Sequence, residues 1–87
     1  MDGSLSYLKV KEKELLVFLV EKRLLEFTPI DVSKMLGVTN KTVINRCAKL
    51  TNNGFLIPNI VNQRIRLYFL SGFTKRNEKK IIAKITT

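Results

Sequence analysis

Between residues 39 and 52 the chain carries amides, hydroxyls and cations whose spacing can do recognition chemistry. At about 100° per residue along a helix, Lys41, Thr42, Asn45, Ala48 and Lys49 share one side. Val43, Cys47 and Leu50 lie opposite, with Ile44 and Arg46 on the flanks. An asparagine amide can pair bidentately with an adenine edge, and arginine or lysine with guanine. The same cations neutralise phosphates, and the small Ala48 lets the surface approach another molecule closely. Residues 32–77 contain no carboxylate, whereas a helix face that is merely solvated mixes both charge signs. The side chains are therefore suited to holding a polyanion.

Two short helical patterns must position them. In the first, residues 29–36, Pro29 stands at the first helical position, where its missing N–H is no loss, and Ile30, Val32, Met35 and Leu36 form the apolar set. Gly37 supplies a sharp turn because it takes positive φ at little cost. Thr39 can cap the second helix through its hydroxyl. That helix runs over residues 39–52 and stops at Asn53-Gly54, a C-terminal signal. Helix, glycine turn and capped helix make a helix-turn-helix unit, whose second helix enters a major groove.

Charge is distributed accordingly. The chain of 87 residues has 16 basic and 7 acidic side chains, a net +9. Residues 1–38 hold six of each sign, while residues 39–87 hold ten basic side chains against Glu78 alone. The excess begins where the second helix begins, which is the electrostatic footprint of nucleic-acid binding. A solubility tail accounts for Lys75, Arg76, Lys79, Lys80 and Lys84 but not for Lys41, Arg46, Lys49, Arg64 and Arg66, which sit inside structured patterns.

After Gly54 the period becomes strand-like. Residues 55–60 and 65–70 are two runs rich in β-branched and aromatic residues, separated by a polar turn of residues 61–64. Pro58 places the first strand at an edge. In the second, Ile65, Leu67 and Phe69 alternate with Arg66 and Tyr68, so that one face packs and the other meets water or a ligand.

A hairpin after a helix-turn-helix resembles the winged helix-turn-helix family of DNA-binding proteins, common among bacterial and archaeal transcriptional regulators. The matching features are T-x-x-D-V-S-x-x-L-G-V-T-x-x-T-V-x-x-R over residues 28–46, the spaced Leu50, and N-G-F-L-I leading into the hairpin. The resemblance covers residues 11–71. Ser33 departs from it, since the family usually carries alanine at that helix–helix contact. The resemblance implies that Asn40, Lys41, Thr42 and Asn45, with the capping Thr39, face the major groove, and that Arg46 and Lys49 reach phosphates. It implies that Asn62, Gln63 and Arg64 at the hairpin tip, joined by Arg66, touch the minor groove or its backbone. A cation in a narrow A·T-rich minor groove gains from the enhanced negative potential there.

The flanks support this unit. Residues 15–20 are an unbroken apolar run lengthened to helix size by the charged residues 9–14 and 21–23. Glu12 and Glu14 near its start and Lys22 and Arg23 near its end suit the helix dipole. Six apolar residues are too few to cross a bilayer, and acidic Asp2 with no following small-residue cleavage site argues against a signal peptide. Residues 24–27 can add a short strand beside the wing. In residues 72–87, Phe73, Ile81, Ile82 and Ile85 make one stripe of a short helix starting near Thr74, suited to a dimer interface. The alternatives are a frayed basic tail or a strand.

The expected architecture is a single domain over residues 1–87: mainly α with a β-hairpin wing (α+β), a three-helix core, a two- or three-stranded sheet and a C-terminal helix. No repeat, low-complexity segment or flexible linker interrupts it. With no histidine and one cysteine there is no zinc site, and no phosphate-cradling glycine loop or nucleophile–base pair occurs. The expectation is a non-enzyme without cofactor, metal, membrane or small-molecule ligand. Lone Cys47 is read as a packing residue in a reducing cytoplasm, with redox sensing as the alternative. The function expected is a homodimeric, sequence-specific regulator bound to double-stranded DNA, from an A·T-rich genome such as an archaeal or viral one. Two other readings stay open: a protein–protein module or accessory subunit, and an architectural, replication or partition protein of a mobile element.

Overall fold

The computed structural model describes Leu5, residues 8–60 and residues 66–86. The chain folds as α1 (Val10–Glu21), β1 (Glu26–Phe27), α2 (Pro29–Leu36), α3 (Asn40–Asn52), β2 (Leu56–Ile60), β3 (Arg66–Leu70), α4 (Gly72–Arg76) and α5 (Glu78–Thr86). The three strands form one antiparallel sheet in the order β1-β3-β2. Helix-turn-helix, hairpin and a short strand closing the sheet make a winged helix. The expected hairpin tip, Asn62, Gln63 and Arg64, lies outside the described residues.

Local chemistry sets the helix ends. The Glu12 carboxylate accepts a hydrogen bond from the Lys9 N–H at 3.0 Å, satisfying a donor the first turn of α1 leaves open. Thr28 Oγ1 accepts from the Asp31 N–H at 3.3 Å, and Pro29 opens α2. Gly37 ends α2 at φ 70°, ψ 31°, its N–H donating to the Ser33 carbonyl. This left-handed cap is glycine's role, because a Cβ would crowd the carbonyl. Ser33 is buried, with its hydroxyl donating to the Ile30 carbonyl at 2.7 Å, so serine fits at this position without an orphaned polar group.

One core joins all the elements. Leu15, Leu16, Leu19 and Val20 of α1 meet Val32 of α2, Val43, Cys47 and Leu50 of α3, and Phe27, Phe55, Leu56, Tyr68 and Leu70 from the sheet and its approach. Of the apolar set of α2, Val32 is buried and Leu36 partly so, but Ile30 is 50% and Met35 58% exposed. An eight-residue helix seals only one narrow face.

Two expectations are corrected. First, the face of β3 that packs is the opposite one: Tyr68 and Leu70 are buried, while Leu67 and Phe69 are half-buried. Tyr68 sits beside Phe27 across the β1–β3 ladder, and their rings stack with centroids 5.8 Å apart. Leu70 pairs with Leu56 across β2–β3, and both are buried. These partners decide the parity. Pro58 does lie in an edge strand, since β2 is outermost.

Second, residues 72–86 are neither a frayed tail nor a free apolar stripe. Ser71 caps α4, Asn77 breaks the helix, and α5 packs against α1. Ile81 is buried, and Phe73, Ile82 and Ile85 pack against the same core. The apolar side offered for a dimer contact is therefore used within the chain. Two hydroxyls fasten it there: Ser71 Oγ donates to the Gly54 carbonyl and Thr74 Oγ1 to the Phe55 carbonyl, each at 2.7 Å.

Candidate nucleic-acid interface

Helix α3 is held rigidly at both ends. At its start the Thr42 N–H donates to Thr39 Oγ1 at 3.2 Å, and the two threonine hydroxyls lie 2.8 Å apart. At its end, Gly54 at φ 82° lets its N–H reach the Thr51 carbonyl and the Phe55 N–H reach the Leu50 carbonyl at 2.9 Å, a Schellman closure. Phe55 and Leu50 are both fully buried. Val43, Cys47 and Leu50 fix the inner face in the core.

The outer face is what this anchoring presents. Lys41, Asn45, Ala48 and Lys49 are all exposed, and at 3.6 residues per turn they form one ridge along α3. Asn52 is also exposed and stands seven residues beyond Asn45, almost in line with it. Asn52 was expected only as the end of the helix, yet the same helical arithmetic puts it on the ridge. Thr39 and Asn40 are exposed at the N-terminal end of the ridge. Thr42 is half-buried and bonded to its capping neighbour, which makes it part of the cap.

Arg46 stands apart. It is half-buried and turns toward α1, lining an open cleft of about 230 Å³ with Lys11, Glu14, Leu15, Leu36 and Val38. Glu14 is paired there with Lys11 at 3.6 Å. Lys11 thus joins Arg46 on the flank of the ridge, a cation that lies 35 positions away in sequence and carries no local signal. Arg66 is exposed at the start of β3, paired in register with Ile60. Electrostatically the ridge is one-signed. Lys41, Arg46, Lys49 and Arg66 have no carboxylate within salt-bridge distance among the described residues. Exposed cations left without carboxylate partners are what a polyanion can use.

Nothing in the described residues suggests bond-making chemistry. No cluster of three or more His, Cys, Asp or Glu side chains could hold a metal there, and no helix is long and apolar enough to cross a membrane. Burial pushes the Cys47 thiol up from 9.0 to about 12, because a thiolate has no water or cation to stabilise it there. Its raised native value means that the contribution of the neutral thiol to stability is complete below about pH 9 and is lost as pH climbs toward 12. Native protein at pH 8 is therefore expected to resist iodoacetamide under conditions that fully alkylate urea-unfolded protein. Equal labelling of both forms, read by mass spectrometry, would contradict a sealed Cys47.

No family model and no curated protein sequence matches the chain. Solved structures do. A transcriptional regulator homologue from Pyrococcus horikoshii OT3 superposes with a TM-score of 0.66 at 15% identity, over 87% of this chain and 76% of that one. Overoxidized AbfR bound to DNA gives 0.72 at 14% identity, over 91% and 58%. MepR, a transcription regulator of the Staphylococcus aureus multidrug efflux pump MepA, gives 0.67 at 18% identity, over 87% and 56%. The chain spans three-quarters of the first and little more than half of the other two. At such identities the likeness establishes the winged-helix fold, and function must come from this chain's own surface.

Proposed function

We propose that this winged-helix chain is a sequence-specific double-stranded DNA-binding protein that regulates transcription, with α3 in the major groove and the β2–β3 wing at the minor groove. The observation that carries this reading is the exposed ridge of Lys41, Asn45, Ala48, Lys49 and Asn52 on a helix clamped at both ends. Two of these solved neighbours are a transcription regulator and a regulator homologue, and a third is bound to DNA, which supports the same reading. The protein acts without catalysis, cofactor or small-molecule ligand, in the cytoplasm on the nucleoid. Two copies engage a pseudo-palindrome, with recognition helices about 34 Å apart in successive major grooves.

Asn45 and Asn52 read base edges, while Lys49 and Lys41 hold the backbone and position the helix. Arg46 on the flank, Arg66 on β3 and the tip residues Asn62, Gln63 and Arg64 add contacts to phosphate and minor groove. The test is a mobility shift with random duplexes followed by selection of bound sequences, which should yield one discrete site. Asn45→Ala should relax preference at one base pair and cost about 1–3 kcal/mol there. Lys49→Ala should weaken binding to every sequence alike. Failure of the purified protein to shift any duplex would overturn the proposal and favour a protein-binding module. Uniform coating without a preferred site would favour an architectural role.

A further inference from the structure

We propose that the outer face of α4–α5 is a second DNA-binding surface, which grips the phosphate backbone of a separate duplex so that one molecule bridges two DNA segments. The inference rests on the DNA reading of α3 and adds to it. Around α5, Ile81, Ile82 and Ile85 turn inward, while Lys79, Lys80, Ala83 and Lys84 are exposed on the opposite arc. Lys75 and Arg76 continue the exposed basic surface on α4. Five cations thus lie within ten residues whose one carboxylate, Glu78, is half-buried. Lys75, Arg76, Lys79 and Lys80 make no ion pair among the described residues. Ala83 stands among the lysines as Ala48 does on α3, leaving room for a backbone to come close.

Position separates this surface from the α3 ridge. Helix α1 packs against both α3 and α5, whereas α3 and α5 share little contact with each other. On each of α3 and α5 the exposed arc lies opposite the buried arc that joins the core with α1, so each faces away from α1. A single duplex lying along the α3 ridge therefore leaves the α5 lysines uncovered. The domain measures 35 × 25 × 22 Å, so duplexes on opposite faces stand more than two Debye lengths apart, each about 8–10 Å at ordinary salt. Their mutual repulsion is then largely screened. The local repulsion of five clustered cations is relieved when phosphates arrive and counterions are released.

The experiment uses the whole chain and two duplexes carrying its selected site, one immobilised on beads and one fluorescent in solution. Wild-type protein should retain the fluorescent duplex on the beads. The variant Lys75→Gln/Arg76→Gln/Lys79→Gln/Lys80→Gln changes only exposed side chains, and an unchanged melting curve confirms its fold. It should bind a single duplex within about threefold of wild type yet lose at least tenfold in bridging. Losing four phosphate contacts should also make the bridging step less salt-dependent by about 3.6 in slope.

Three results overturn the proposal. Bridging that survives in the quadruple variant would mean that two α3 ridges of a dimer hold both duplexes. Parallel loss of single-duplex binding and bridging would mean that α4–α5 serves the same site as α3. Absence of bridging by wild type, together with variant-sensitive binding to phosphatidylserine vesicles, would assign the face to an anionic membrane. If wild type binds no single duplex, it is the DNA reading of α3 that fails, and this inference falls with it.

Discussion

Raising salt from 50 to 200 mM is expected to weaken DNA binding by about ten-thousandfold. Lys41 and Lys49 are exposed on α3, Arg46 lies on its flank and Arg66 is exposed at the start of β3, so the proposed dimer would contact about eight phosphates. At about 0.9 counterions released per phosphate, log K should fall with log[salt] at a slope of about −7. The double variant Lys41→Gln/Lys49→Gln removes two charges from each protomer. It should flatten the slope to about −3.6 and weaken binding to all sequences at low salt, as measured by fluorescence anisotropy titration. Both lysines are exposed, so the domain's stability should barely change. A wild-type slope near zero would sink the polyanion reading, and an unchanged slope in the variant would place the contacts elsewhere.

The second large effect concerns stability. Phe55→Ala is expected to cost about 3–5 kcal/mol, the usual range for emptying an aromatic core site. Phe55 is fully buried where α3 passes into β2, and its ring meets that of Phe73 with centroids 5.9 Å apart. A domain of this size has only about 4–13 kcal/mol in total, so the variant should melt far below wild type or fail to fold. Ile57→Ala supplies the contrast: the side chain is 51% exposed on β2, on the face opposite buried Leu56, and its loss should shift stability by under about 1 kcal/mol. Urea midpoints for the two variants that fell together would contradict the assignment of the core.

Much of the fold was legible because its signals are local. Pro29, Gly37 with Thr39, and Asn53 with Gly54 each punctuate a helix locally and stand where the sequence places them, while the Thr28 cap on α2 is a further local bond. The ridge on α3 follows from periodicity alone, which also reaches Asn52. What was misread depends on distant partners. The parity of β3 is decided by Phe27, 41 residues before Tyr68, and by Leu56 opposite Leu70. Alternation by itself cannot say which of two plausible faces turns inward. The apolar stripe of α5 was visible, but its occupant, α1, was not, because an amphipathic helix does not specify whether its own chain or another covers it. The direction of Arg46 toward Lys11 is likewise a property of how α1 and α3 pack.

The hydroxyl clasp of Ser71 and Thr74 on the carbonyls of Gly54 and Phe55 has a temporal implication. As the polypeptide leaves the ribosome, the residues that lock the exit of α3 emerge some twenty positions after the helix they secure. Until then Phe55 lacks its contact with Phe73 and α1 lacks its partner α5, so the packing that seats α3 is incomplete. The core around α3 is complete only once residues 71–86 have closed over it.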